Sequence, residues 1–208
     1  MAQLTLFDAT DLVLADDERG RITYSPAVVD TETAAAWFLE LRTAVDWRAE
    51  RRQMYDREVD VPRLTGHYRL DPVAVDVPAA IVAAAARVTA LVNAPFNSVG
   101  LNLYRDGRDS AAPHNDHLSD LRKGFPIALL SLGDTRSMVI RAKEAAAHPM
   151  RIDLKAGSLL VMDYPTQLHY THGVPKTADP VGERISLAFR VKPEYRAHGG
   201  GKGFYEQP

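Results

Sequence analysis

Apolar and polar positions alternate most clearly at two places in the chain. Between Ser98 and Tyr104, Val99, Leu101 and Leu103 alternate with Gly100, Asn102 and Tyr104, which predicts a half-buried strand with Asn102 and Tyr104 on one face. In the run from Arg184 to Val191, Ile185, Leu187, Phe189 and Val191 share one face, and Arg184, Ser186, Ala188 and Arg190 share the other. Further strands are expected near 21–24, 126–132, 136–142, 150–154, 158–162 and 167–172, separated by Gly, Pro, Asp or Ala-rich turns. Two stretches carry a helical period instead. The first starts at Asp30, a good N-cap, and runs to about Asp46 with Trp37, Leu41, Ala44 and Val45 on one face. The second is Ala-rich, from Ala79 to Val92, with Pro78 suited to its first turn.

The rest of the chain lacks a clear period. Residues 1–30 read as irregular apart from 21–24, with Leu4, Leu6 and Phe7 anchoring an arm. Residues 47–71 interleave arginines with aromatics, Met54 and acids. Pro62 and Gly66 there argue against a long regular element, so the segment reads as a surface loop or a lid over a site. The glycine-rich tail after residue 192 is expected to be mobile. Several short strands preceded by two helices point to a β-sandwich or jelly roll, of α+β class, with the helices packed on one sheet.

Composition narrows the function. The 208 residues fit one domain, with 46% apolar and 25% charged positions. A formal net charge of -2 excludes nucleic-acid binding through bulk charge, so any basic footprint must be local. With no cysteine, disulfides and thiolate metal sites are impossible. No apolar run reaches membrane-spanning length and the N-terminal residues do not resemble a signal peptide, so a cytoplasmic location is the expectation.

Candidate chemistry begins at His114-Asn115-Asp116. In an extended segment residues i and i+2 point the same way, so an imidazole and a carboxylate converge. Of the chain's seven histidines, His172 is the best third ligand, since it ends a predicted strand before the sharp exit Gly173-Val174-Pro175. His169 and His117 face away on the same reasoning. His114, Asp116 and His172 then form two histidines and one carboxylate, a set that suits Fe(II) with open positions and also serves zinc hydrolases. Arg184 and Arg190 provide two planar guanidiniums on one strand face, suited to gripping a small dicarboxylate at both ends, with Asn102 and Tyr104 as neutral donors.

These residues and their surroundings resemble the AlkB family of Fe(II)/2-oxoglutarate dioxygenases, over about residues 47–192. The likeness rests on Pro62-Arg63-Leu64-Thr65, Asn102-x-Tyr104-x-x-Gly107, His114-x-Asp116, Ser131-Leu132-Gly133-Asp134-x-Arg136, Gly157-Ser158-Leu159-Leu160-Val161-Met162, His172-Gly173-Val174-Pro175 and Arg184-Ile185-Ser186-Leu187-Ala188-Phe189-Arg190. The resemblance implies a double-stranded β-helix spanning 96–192 in a single domain of 1–208. Ahead of it come an arm and helix (1–46) and a recognition lid (47–71). It implies Fe(II) on His114, Asp116 and His172, and 2-oxoglutarate on Asn102, Tyr104, Arg184, Ser186 and Arg190, with O2 as co-reactant. The substrate it implies is alkylated DNA or RNA, met by Met54, Tyr55, Arg63, His67, Tyr68, His117 and Arg136. Of these, His67 and Tyr68 stand where the family has aromatic residues. Arg48, Arg51, Arg52, Arg57 and Arg141 join Arg63 and Arg136 as phosphate contacts. No membrane or obligate protein partner is implied, and a monomer is expected. The sequence departs from the family at His117-Leu118, where an acid is usual, and at Tyr68-Arg69-Leu70-Asp71, where the family has Tyr-Gly-Asp. A protein, lipid or small-molecule substrate is the alternative. A zinc hydrolase would have no use for the arginine pair, and a β-sandwich binding module would have no use for the triad.

Overall fold

A computed structural model describes residues 11–54, 57–71, 76–144 and 148–193, without the side chains of 52–60. The elements in order are β1 (Leu12–Asp17), β2 (Gly20–Ser25), α1 (Thr31–Ala44), β3 (Arg48–Met54), β4 (Arg57–Arg69), α2 (Ala79–Val92), β5 (Ser98–Tyr104), β6 (Ala111–His114), β7 (Ile127–Gly133), β8 (Arg136–Ala142), β9 (Met150–Leu154), β10 (Leu159–Met162), α3 (Thr166–His169), β11 (Tyr170–Val174) and β12 (Arg184–Arg190). An eight-stranded sheet runs β1-β2-β10-β7-β12-β5-β4-β3, and a four-stranded sheet runs β6-β11-β8-β9. The two face each other as the layers of a jelly roll, with all pairings antiparallel.

Strand alternation divides the apolar residues into two cores. Ile185, Leu187 and Phe189 of β12, with Val99, Leu101 and Leu103 of β5, pack against Ala34 and Leu41 of α1 and Ala80, Ile81, Ala84 and Val88 of α2. Ala188 faces the other way, with Met138, Ile140, Leu160 and Tyr170 between the sheets. The helices thus seal one face of the large sheet, and the polar residues of β5 and β12 turn toward the cavity between the sheets. Asp30 caps α1 by accepting from Thr33 N at 2.9 Å. Asn93, at φ 53, closes α2 in the left-handed region that asparagine tolerates. Pro78 sits at the N-cap of α2, one position before the first turn.

Three segments differ from the sequence expectation. Residues 12–17 form an edge strand, extending what was read as an irregular arm into a hairpin with β2. Residues 48–69 form the β3–β4 hairpin, with β4 at 13 residues. Pro62 does not break β4, because the register of β3 on β4 shifts between Ala49 and Arg51. Pro62 lies in that irregular stretch, where no ladder N–H is needed, and its carbonyl accepts from Ser110 N at 2.8 Å. Gly66 does not break it either: a Cβ there would stand 2.7 Å from Val45 Cγ1, so glycine admits the chain leaving α1. Thirdly, residues 166–169 form a single helical turn, and the strand carrying His172 starts only at Tyr170. The expected tail lies largely outside the described residues.

Candidate metal and cosubstrate site

β6 and β11 are antiparallel neighbours in a register that sets His114 directly opposite His172. Their rings stand 4.5 Å apart, centroid to centroid. Asp116 follows two residues after His114, and one ligand atom from each of the three lies within 4.8 Å of the others. His114 Nδ1 is 2.8 Å from the Ala112 carbonyl. A carbonyl only accepts, so Nδ1 carries the hydrogen and Nε2 keeps its lone pair for a metal. Burial pushes the pKa of His172 down to about 4, with His114 and Arg190 adding to it, so its imidazole is neutral and ready to ligate at ordinary pH. Burial alone would raise Asp116. The charge and hydrogen bond of Arg190, Nε to Oδ2 at 2.6 Å, outweigh it and hold the carboxylate ionised. The donor set is two neutral nitrogens and one anionic oxygen.

The residues expected to hold the cosubstrate share the inward face of the large sheet. β12 pairs Ser186 with Asn102 of β5 on one side and with Ser131 of β7 on the other. Arg184 is 1% exposed. Its Nη2 donates to Ser131 Oγ at 2.8 Å, but among the described residues Nε and Nη1 have no hydrogen-bond partner. Buried guanidinium donors left unmet are costly, and an incoming carboxylate supplies what they lack, so the residues present fit a dicarboxylate. The ring of Tyr104 lies under Arg184 and Arg136, 5.3 and 5.6 Å from their guanidinium carbons. Gly100 leaves room at the other end: a Cβ there would stand 3.2 Å from Arg190 Nη1.

Ser131 was not singled out from the sequence as a site residue. Its signal was present in Ser131-Leu132-Gly133, but only the β7–β12 register brings it to Arg184. Gln167 was also missed; its Oε1 accepts from Asp116 N at 2.9 Å.

The residues expected to meet nucleic acid are scattered. His67 faces the cavity side of β4, opposite Gly100, with Nε2 3.1 Å from Ser98 Oγ. Burial, then Lys192, Arg190 and Arg69, hold its pKa below the usual histidine value. Tyr68 does not share that side. Its register partner is Val99, so it packs on the helix-covered core and is not free to stack on a base. Arg136 is likewise placed away from phosphate: it is 2% exposed and donates to the carbonyls of Asp106, Asp109 and Pro175. Arg63 donates from Nε to Asn102 Oδ1 at 2.7 Å and from Nη1 to Ser110 O at 3.1 Å, so it orients a predicted cosubstrate residue. His117 is exposed ahead of a short turn at Leu118–Asp120. Arg48 pairs with Asp46, and Arg141 is exposed. Tyr55 and the side chains of Arg52, Met54 and Arg57 lie outside the described residues.

Comparison with known proteins agrees with this geometry. The family profile of the 2OG-Fe(II) oxygenase superfamily matches residues 21–190. A DNA oxidative demethylase ALKBH2 from Bos taurus is 37% identical over 111 residues, covering 50% of this chain and 40% of that protein. An alpha-ketoglutarate-dependent dioxygenase alkB homolog 3 from Mus musculus is 31% identical over 190 residues, covering 82% of this chain and 66% of that protein. A solved structure described as "The structure of OsALKBH1" superposes with a TM-score of 0.60 at 12% identity, covering 82% of this chain and 97% of that one, a likeness of fold. The chain belongs to the 2OG-Fe(II) oxygenase superfamily. Within it, the chain is a member of the AlkB family. The match to the ALKBH2 relative spans less than half of that protein's length. The superfamily's Fe(II), 2-oxoglutarate and O2 are the cofactors its donor set fits.

Proposed function

We propose that the protein is an Fe(II)/2-oxoglutarate-dependent dioxygenase that oxidatively dealkylates bases of DNA or RNA. The observation that carries the reading is the N,N,O triad of His114, Asp116 and His172, bonded through Arg190 to the strand that also carries a buried Arg184 whose Nε and Nη1 lack partners among the described residues. Two relatives support the substrate class, since their names describe a DNA oxidative demethylase and an alkB homolog.

In this reading His114, Asp116 and His172 hold Fe(II). Arg184 meets one carboxylate of 2-oxoglutarate, with Ser131 holding the guanidinium from behind and Ser186, Asn102 and Tyr104 lining the path. Arg190 stands at the metal end, pairing Asp116 and presenting its remaining donors to the other carboxylate. Held by these residues, Fe(II) and 2-oxoglutarate would supply, with O2, a two-electron oxidation of the alkyl carbon whose other products are succinate and CO2, and the hydroxylated group would leave the base as an aldehyde. Three ligands leave the coordination positions this needs. His67 would touch the extruded base, with the exposed His117 next to Asp116 and Arg63 acting through Asn102; Met54 and Tyr55 are candidates by the family resemblance alone. Among the described residues no helix is long and apolar enough to cross a membrane.

The test is a coupled assay with Fe(II), 2-oxoglutarate and oligonucleotides carrying 1-methyladenine or 3-methylcytosine. Succinate and formaldehyde in equal amounts, with loss of the methyl group, are expected. Succinate with no loss of methyl from DNA or RNA would move the substrate to a protein, lipid or small molecule and leave the oxidative chemistry standing.

A further inference from the structure

We infer that Gln167 is a positioning residue for the metal carboxylate, tying together the two separate segments that carry the ligands. The inference rests on the assignment of His114, Asp116 and His172 as the metal ligands. Gln167 is 1% exposed and sits in the helical turn α3, five residues before His172. Its Oε1 accepts from the backbone N–H of Asp116 at 2.9 Å, across 51 residues of sequence. Its Nε2 donates to Thr166 Oγ1 at 3.0 Å, and that hydroxyl in turn donates to the Asp163 carbonyl at 2.6 Å. With the Thr166 hydroxyl proton engaged, Thr166 can only accept from Gln167, so the amide nitrogen faces Thr166 and the oxygen faces Asp116. The amide orientation follows from these bonds.

The turn itself is fixed. Lys143 donates from Nζ to the Gln167 carbonyl at 3.1 Å, and its backbone N–H donates to the His169 carbonyl at 2.8 Å. The paired strands β6 and β11 hold the two histidines through their backbones. Asp116 lies beyond the end of β6 and has no ladder partner among the described pairings. Three side chains hold it: Arg190 at the carboxylate, Gln167 at the backbone N–H and the adjacent Asn115 at the carbonyl, 3.1 Å away; of these only Gln167 ties its backbone to the segment that carries His172. Arg190 sets the charge of the ligand, and Gln167 sets where its Cα stands relative to His172. Outer residues of this kind typically change metal affinity by about 10–100-fold when lost.

Two variants separate this role from simple packing. Gln167→Met keeps the volume and removes the acceptor. Gln167→Glu keeps an oxygen for Asp116 N–H, and the Thr166 hydroxyl can rotate from the Asp163 carbonyl to donate to the second oxygen. Co(II) serves as the probe, titrated into metal-free protein and followed by its visible absorption, with thermal unfolding of each metal-free variant as the control for folding. The expected result is Co(II) binding weakened about 10–100-fold with an altered visible spectrum in Gln167→Met, and binding within about threefold of the parent in Gln167→Glu. Parent-like affinity and spectrum in Gln167→Met would overturn the inference, as would equal losses in the two variants. Should the parent protein itself bind no Co(II), the ligand assignment fails, and that outcome is distinct from failure of the Gln167 inference alone. Gln167→Leu, also lacking the acceptor, replaces the Met variant if that protein does not fold, and the same loss is expected of it.

Discussion

Arg190 Nε lies 2.6 Å from Asp116 Oδ2, so the last strand of the large sheet reaches across the cavity to hold the carboxylate of the metal triad. The two side chains are 22% and 12% exposed, which leaves little solvent to screen them. The pair keeps Asp116 ionised against its burial. In the proposed function it would make one arginine serve both metal and cosubstrate.

Replacing Arg190 with Met should therefore damage two functions together. Asp116 loses its counter-charge and its pKa rises, so metal binding weakens and becomes more sensitive to acid. Truncating one partner of such a buried pair commonly costs about 3–5 kcal/mol. Titrations of Co(II) and of 2-oxoglutarate should both show losses, of at least about tenfold each by the 1.4 kcal/mol per decade rule. Arg190→Lys restores charge but not the fork and should recover only part of the metal affinity. A variant that loses 2-oxoglutarate alone, with Co(II) binding intact, would show that the pair does not matter to the metal.

Arg184 should behave differently. Its Nε and Nη1 are buried without partners, and burial depresses its pKa, so in the metal-free, cosubstrate-free protein it is a source of strain. Arg184→Met should leave that state as stable or more stable, by about 1–3 kcal/mol, the usual cost of unmet buried donors. The same change should abolish 2-oxoglutarate binding. Thermal melts with and without 2-oxoglutarate check both at once: the cosubstrate raises the parent's midpoint through mass action and should not move that of the variant. A large drop in the variant's own midpoint would mean that Arg184 stabilises the fold as it stands.

These two arginines show what the sequence carries and what it does not. Strand alternation was enough to put Arg184, Ser186 and Arg190 on one face of β12, because that face follows from the period of the strand alone. The i, i+2 argument joined His114 to Asp116 for the same reason. His172 was chosen as the end of a strand before Gly173-Val174-Pro175, whereas β11 runs on to Val174, and it is the register opposite His114 that brings it to the pair. Facts that depend on register were not legible. Tyr68 packs under the helices because β4 sets it opposite Val99, and no local pattern reveals which residue of a neighbouring strand it will meet. Arg136 reads as an exposed cation until loop 106–109 folds its carbonyls around it. Pro62 reads as a breaker until the irregularity between β3 and β4 is seen. Gln167 has no signal at all until a turn brings it to a residue 51 positions away.

Tyr68 and His67 give a matched test of that register. Tyr68→Ala should destabilise the protein by about 3–5 kcal/mol at most, the range for large aromatic truncation in a core, and by less here because the ring is only partly buried. Among molecules that stay folded it should leave the Michaelis constant for a methylated oligonucleotide unchanged. His67→Ala should do the reverse, with little change in the urea midpoint and a raised Michaelis constant. Steady-state kinetics alongside urea melts separate the two. A stable Tyr68→Ala with weakened oligonucleotide binding would place that ring at the substrate.

The metal-free protein should also lose stability as the solution is acidified, through His172. Its pKa is about 4 in the folded state, against a reference value of 6.5. Because the folded value is depressed, the unfolded chain binds a proton first as pH falls. Above pH 6.5 both states are neutral at this group and stability is full. Between 6.5 and 4 the unfolded state gains a proton that the folded state refuses, so stability declines through that window and the loss is complete near pH 4. The span corresponds to a loss on the order of 3 kcal/mol. Urea midpoints of chelator-treated protein at pH 7.5, 6 and 5 should fall steadily, and His172→Gln, which has nothing to titrate, should flatten the decline. If the variant and the parent show the same slope across this window, the acid sensitivity belongs to other groups, and the buried neutral state of His172 is not what opposes protonation.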